Sequence, residues 1–182
     1  LPRLRPVPRA LARAEPPAMR RGVKAAVWAL FVLYGLVMLW LLFLSGRHPE
    51  FLRGYVENGI YWSLVRSTTN LVPFRTVADF LENIASGNDY LVRHAVVNLA
   101  GNVVMFVPLG LFLPLLFRRL RRYWRFLLVC ALVIVVVETA QVLLTVGWAD
   151  VDDLILNLCG ASIGFPFGLL AVKLLDKGDR ET

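Results

Sequence analysis

Glu138 and Gln141 stand three residues apart inside Phe126–Val146, a 21-residue run that is otherwise almost wholly apolar. A carboxylate at that depth of a bilayer costs about 2.5–3.5 kcal/mol, so it faces a protein interior or a wet cavity. Desolvation raises the pKa of such a group and suits it to general acid/base work. Two further pairs share a helical face at i,i+4 spacing, Asn98 with Asn102 and Asp153 with Asn157. Asp150, Asp152 and Asp153 supply oxygen ligands of the kind that hold Ca²⁺ or Mg²⁺, so a divalent cation is one reading of them. No His or Cys accompanies them, which disfavours zinc. Arg75 follows the Pro73-Phe74 turn, where a guanidinium suits bidentate binding of a phosphate or carboxylate.

Each residue also has a plainer reading. Amides in membrane helices serve as interhelical glue worth about 0.6 kcal/mol each. The three aspartates fit a solvated acidic loop, and His48 and His94 fit an interfacial position. Cys130 and Cys159 fall at different depths of two spans and read as unpaired apolar packers.

The elements that position these side chains are membrane helices. The chain has 182 residues, 58% of them hydrophobic, and a mean hydropathy of +0.63. Crossing the hydrocarbon core takes roughly 17–25 apolar residues. Four stretches meet that length: 25–44, 95–117, 126–146 and 154–172. Lipid offers no partner for a backbone N–H or C=O, so these stretches are helices and the fold class is all-α. At about 1.5 Å rise per residue, Asn98, Asn102, Glu138, Gln141 and Asn157 all fall within about 12 Å of one membrane boundary, with Asp153 at its rim. Three polar stripes at one depth predict one shared site. Pro108 and Pro166 lie deeper and bend their helices beneath it.

Charge orients the chain. Residues 1–24 carry seven Lys or Arg against one Glu, and 118–125 carries five Arg and no acid. Residues 45–93 hold five Arg and five acids. The positive-inside rule then places both termini and the Arg118–Arg125 loop in the cytoplasm, with 45–93 and the acidic 147–153 outside. This topology accounts for the net charge of +7, and no soluble basic face exists for nucleic acid. The chain divides into a disordered basic tail (1–24), a first span (25–44), an extracytoplasmic segment (45–93), a three-span core (94–175) and a short tail (176–182). Met19, just ahead of the first span, reads as a natural start, which leaves residues 1–18 open as an upstream extension. Within 45–93, residues 70–75 read as a turn. Thr76-Val77-Ala78-Asp79 has capping-box spacing and predicts a short helix on the outer surface, ending near Gly87.

Four blocks in order resemble the VanZ-like family of bacterial membrane proteins. They are Asn70-Leu71-Val72-Pro73-Phe74; Asn98-Leu99-Ala100-Gly101-Asn102 continuing through Phe106-Val107-Pro108-Leu109-Gly110; Glu138-Thr139-Ala140-Gln141; and Asp150-Val151-Asp152-Asp153 leading to Asn157-Leu158-Cys159-Gly160. The resemblance covers roughly Thr69 to Gly164. One departure is Gly147-Trp148-Ala149, where family members commonly carry a basic or aromatic residue. The resemblance implies a multi-pass protein of the bacterial plasma membrane, associated through the family's namesake with lowered susceptibility to the lipoglycopeptide teicoplanin.

Two functions follow as expectations. One is a cell-envelope binding protein whose outer site takes a membrane lipid, a lipid-linked cell-wall intermediate or a glycopeptide antibiotic through Arg75, Asn98, Asn102, Gln141, Asp153 and Asn157. The other is an intramembrane enzyme acting on a phospho- or glycolipid, with Glu138 as general base, Arg75 on phosphate and the aspartates on a metal. Ser162 has no His base on its span, so a Ser-His-Asp arrangement is excluded. A transporter is disfavoured by the lack of a broken-helix repeat.

Overall fold

The computed structural model describes residues 21–45, 50–67, 69–147 and 149–178, with the backbone alone at 50–53 and 176–178. His48, Trp148 and the terminal stretches 1–20 and 179–182 lie outside the described residues. Among the described residues four helices are long and apolar enough to cross a membrane. Helix α1 is Arg21–Leu39, continued by a π-helical turn over Trp40–Leu44. Helix α5 is Asp89–Leu116, α6 is Tyr123–Leu143 and α7 is Val151–Gly178. Each extends beyond the expected apolar run at one end or both, because polar residues such as Asp89 and Arg93 continue the helix past its hydrophobic limit.

Between α1 and α5 the structure forms α2 (Glu50–Glu57), α3 (Tyr61–Ser67) and α4 (Arg75–Ala85). The predicted surface helix is α4, and it closes at Ser86-Gly87, with Gly87 at φ +68°. Its start differs from expectation. Thr76 makes no capping box; Phe74 is the N-cap residue and offers no side-chain cap. The expected turn over 70–75 is present at Val72–Arg75, where the Arg75 N–H bonds the Val72 carbonyl at 3.4 Å, but Asn70 belongs to a strand. Thr69–Asn70 (β1) pairs in parallel with Ala149–Asp150 (β2), Thr69 opposite Ala149 and Asn70 opposite Asp150.

The centre of the bundle is the contact of α5 with α7. A Cβ at Gly160 would strike the Val103 carbonyl oxygen, one at Gly164 the Val107 oxygen, and one at Gly168 the Leu111 oxygen. The contacts advance together along both helices, so α5 and α7 run parallel, and α6, which joins them in sequence, packs on α7. Lipid gives helices no hydrophobic reason to associate, and small residues supply the close backbone approach instead. Phe126, Cys130 and Ile134, one helical turn apart on α6, fill the core with Phe106, Leu109 and Leu113 of α5 and Phe165 of α7. Phe126 and Phe165 meet at 4.6 Å between ring centroids. Cys130 is buried and Cys159 exposed, and both are free thiols.

Candidate functional site

At the end of the bundle where α7 begins, two aspartates tie three segments together. Asp150 precedes α7 and caps it, accepting from the Asp152 N–H at 2.8 Å. The same carboxylate accepts from Asn70 Nδ2 at 3.3 Å and from the Thr76 hydroxyl. Asp152 is fully buried. Its oxygens accept the N–H of Phe74 and, at 3.1 Å, the N–H of Val77. These are N–H groups of the opening turn of α4, which no local side chain satisfies. Asp152 therefore caps a helix some 75 residues away in sequence, where the helix dipole favours a negative charge. It also holds Phe74 at φ 64°, a left-handed conformation that costs a residue with a Cβ about 1–3 kcal/mol. Asn70 completes the clasp by accepting the Val72 N–H at 3.2 Å.

The polar residues of the spans sort into separate contacts. Asn102 of α5 donates to Asp153 of α7, although the depth estimate set Asp153 at the rim and Asn102 well below it. Asn157, one turn further along α7, is buried, and its Oδ1 has no partner. Asn98 donates to the His94 carbonyl of its own helix at 2.7 Å. Gln141 leaves this group: it is buried and donates at 2.9 Å to the carbonyl of Leu42, in the π-helical turn of α1. Glu138 is half-buried on α6, and Arg75 is exposed at the first residue of α4. The expected single site is thus resolved into a clasp, an α5–α7 seam and an α1–α6 tie. Among the described residues no three His, Cys, Asp or Glu side chains are grouped as a metal ligand set. Asp150, Asp152 and Asp153 make different hydrogen bonds, to Thr76, to the opening turn of α4 and to Asn102.

Below the Gln141–Leu42 bond lies a slot of about 370 Å³ between α1, α5 and α6. Its lining includes Gly35, Leu39 and Leu42 of α1, Leu109 of α5, and Val133 and Val137 of α6. From Phe31 to Phe43 it follows α1 for roughly 18 Å at ~1.5 Å per residue. Helix α1 packs on α5 through Phe31 and Tyr34 against Phe112, at 5.7 and 6.0 Å, while it barely touches α6. Sequence reasoning missed this slot, although Gly35 is conspicuous in a span of bulky residues.

The sequence pattern of the VanZ/LLP1 family matches residues 31–174, from the slot-lining part of α1 to the last turns of α7. The chain belongs to the VanZ/LLP1 family. Comparison with curated proteins finds no match, and comparison with solved structures finds none either. In this VanZ/LLP1 chain both the slot and the α5–α7 seam fall within the matched stretch.

Asn157 gives the seam a test. An unpaired buried amide oxygen costs about 1–3 kcal/mol, a burden on the fold that a purely structural residue has no reason to carry. Asn157→Leu has similar size and removes the orphan acceptor. The expected result is an equal or higher thermal midpoint in detergent; a lower one would mean that the amide is already satisfied.

Proposed function

We propose that this protein binds an acylated or lipid-linked molecule of the cell envelope, with the chain in the α1–α5–α6 slot. The polar head then meets the layer that holds Glu138, Gln141, Asn98, Asn102, Asp153 and Asn157, with Arg75 at its rim. The charge distribution supports an outer-face position for this layer. Binding of this kind lowers susceptibility to a lipoglycopeptide of the teicoplanin type, either by holding the drug or by withdrawing the lipid on which it acts.

The observation that carries the reading is the slot. Its volume falls in the range of ligand pockets, about 300–1,000 Å³. It follows α1, as an acyl chain lies along a spanning helix, and at Leu42 it meets the carbonyl to which the buried Gln141 amide donates.

Gly35 makes the reading testable without disturbing the fold. A Cβ there meets nothing within 4 Å, so Gly35→Leu projects into open slot rather than into a neighbour. Leu is also a better helix former than Gly by nearly 1 kcal/mol. Teicoplanin and the non-acylated vancomycin are compared in a susceptible bacterial host expressing either form at matched membrane abundance. The wild type is expected to raise tolerance to teicoplanin selectively, and Gly35→Leu to lose most of that rise. A wild type without effect, or a Gly35→Leu form that keeps the full effect, contradicts the proposal.

A further inference from the structure

The opposite end of the bundle holds a second cavity, of about 380 Å³, lined by Leu116, Phe117, Arg118, Arg119 and Leu120. The local chain explains its shape. Helix α5 stops at Leu116, Phe117 is extended, Arg118–Arg121 makes one 3₁₀ turn, and Arg122 is extended again before α6. Within this turn the arginines have different fates. Arg121 folds back, and its Nε donates at 3.2 Å to the Pro114 carbonyl, in the last turn of α5 where acceptors lack helical partners. Arg118 and Arg119 are exposed, and neither has a hydrogen-bond or ion-pair partner among the described residues.

The surroundings match a lipid headgroup region. Trp28 of α1 meets Phe117 edge-on at 5.6 Å between centroids, fixing the first span against the turn. Lys24, one turn before Trp28 on the same face of α1, is exposed and adds a further cation at this end. Tyr123 and Trp124 are exposed, and aromatic residues of this kind sit at headgroup depth. Positive-inside topology explains why the turn is basic, but it requires no cavity between the arginines. Guanidinium groups with all their donors unused, in a concave site at the membrane boundary, bind phosphate by paired charge-assisted hydrogen bonds. Basic pockets at the cytoplasmic ends of membrane helices bind anionic headgroups in the same way.

We propose that this cavity binds the phosphate of an anionic phospholipid, with Arg118 and Arg119 as its donors and Lys24 at its edge. The site is independent of the slot, so either proposal can fail alone.

The test uses the full chain in neutral detergent, titrated with phosphatidylglycerol, with phosphatidylcholine of the same acyl chains, and with inorganic phosphate. Thermal midpoint and the number of lipids retained in native mass spectrometry are the readouts. The variants are Arg118→Gln with Arg119→Gln, and Arg122→Gln with Arg125→Gln, which removes equal charge outside the cavity. Wild type and the Arg122/Arg125 variant are expected to bind phosphatidylglycerol in preference to phosphatidylcholine. The Arg118/Arg119 variant is expected to bind it at least roughly tenfold more weakly, having lost its charge-assisted bonds to the phosphate. Should the Gln pair not fold, Arg118→Lys with Arg119→Lys keeps the charge but loses the fork and is expected to weaken binding as well. Equal loss in both Gln variants would reduce the effect to loop charge and overturn the site. Unchanged binding in the Gln pair, or in the Lys pair where that is used, would overturn it too. A full shift with inorganic phosphate alone would make it a free-phosphate site and overturn the lipid assignment.

Discussion

Gly164→Ala is expected to lower the thermal midpoint of the detergent-solubilised protein, and Gly164→Leu to leave little folded protein in the membrane. A single methyl group at Gly164 would enter the shell of the Val107 carbonyl oxygen and press on the backbone of Gly110. Neither obstacle is the end of a flexible side chain, so relief requires α5 and α7 to move apart. Overpacking typically costs about 1–3 kcal/mol where side chains can adjust, and a clash with main chain belongs at the top of that range. Gly160 and Gly110 face the same constraint, against the main chain at Val103 and Ala161. Parting the helices also separates Asn102 from Asp153 and moves α7 away from the clasp it begins. Gly101, on α5, is the control. A Cβ there meets nothing within 4 Å, so Gly101→Ala is expected to keep or raise the midpoint through better helix propensity. Equal effects at Gly101 and Gly164 would contradict the seam.

Asp152→Ala is expected to release α4 while leaving the membrane helices folded. Two amide donors at the opening of α4 lose their acceptor, each a loss of about 1–3 kcal/mol, and Phe74 loses the bond that holds it left-handed. The short helix cannot compensate from its own sequence, having no side-chain cap and no acidic residue in its first turn. Hydrogen exchange of residues 75–85 should therefore become fast, while that of α5–α7 stays slow. Asp152→Asn is expected to be nearly as damaging, because its NH₂ group would confront one of the two N–H donors. Protection of α4 in both variants would show that its apolar face, not Asp152, holds it in place.

The sequence carried the spans clearly, since length and apolarity alone decide them, and the short surface helix was legible ahead of its end at Gly87. Its capping was misread because Thr76 and Asp79 have the right spacing by chance. The true cap, Asp152, and the pairing of Thr69–Asn70 with Ala149–Asp150 join segments roughly 80 residues apart, and no local pattern encodes such contacts. Depth arithmetic set Asn102 deeper than Asp153 at the rim, yet the two meet, and depth is also blind to rotation about the helix axis. Gln141 shares that depth but faces α1, where the π-helical turn, itself without a local signature, presents the Leu42 carbonyl. The spacing of Gly160, Gly164 and Gly168 was visible and would have identified the α5–α7 seam. Costly polar residues drew attention away from small ones.

The occupant of the slot is tested most directly by photo-crosslinking. Membranes containing a phospholipid with a diazirine in its acyl chain are irradiated, and the labelled residues are mapped by mass spectrometry. Labels are expected to concentrate on Leu39, Leu42, Val133 and Val137, and to fall away in Gly35→Leu. A uniform spread over outward-facing residues such as Leu128 and Leu132, unchanged by Gly35→Leu, would mean that lipid only surrounds the bundle and that the slot binds no chain.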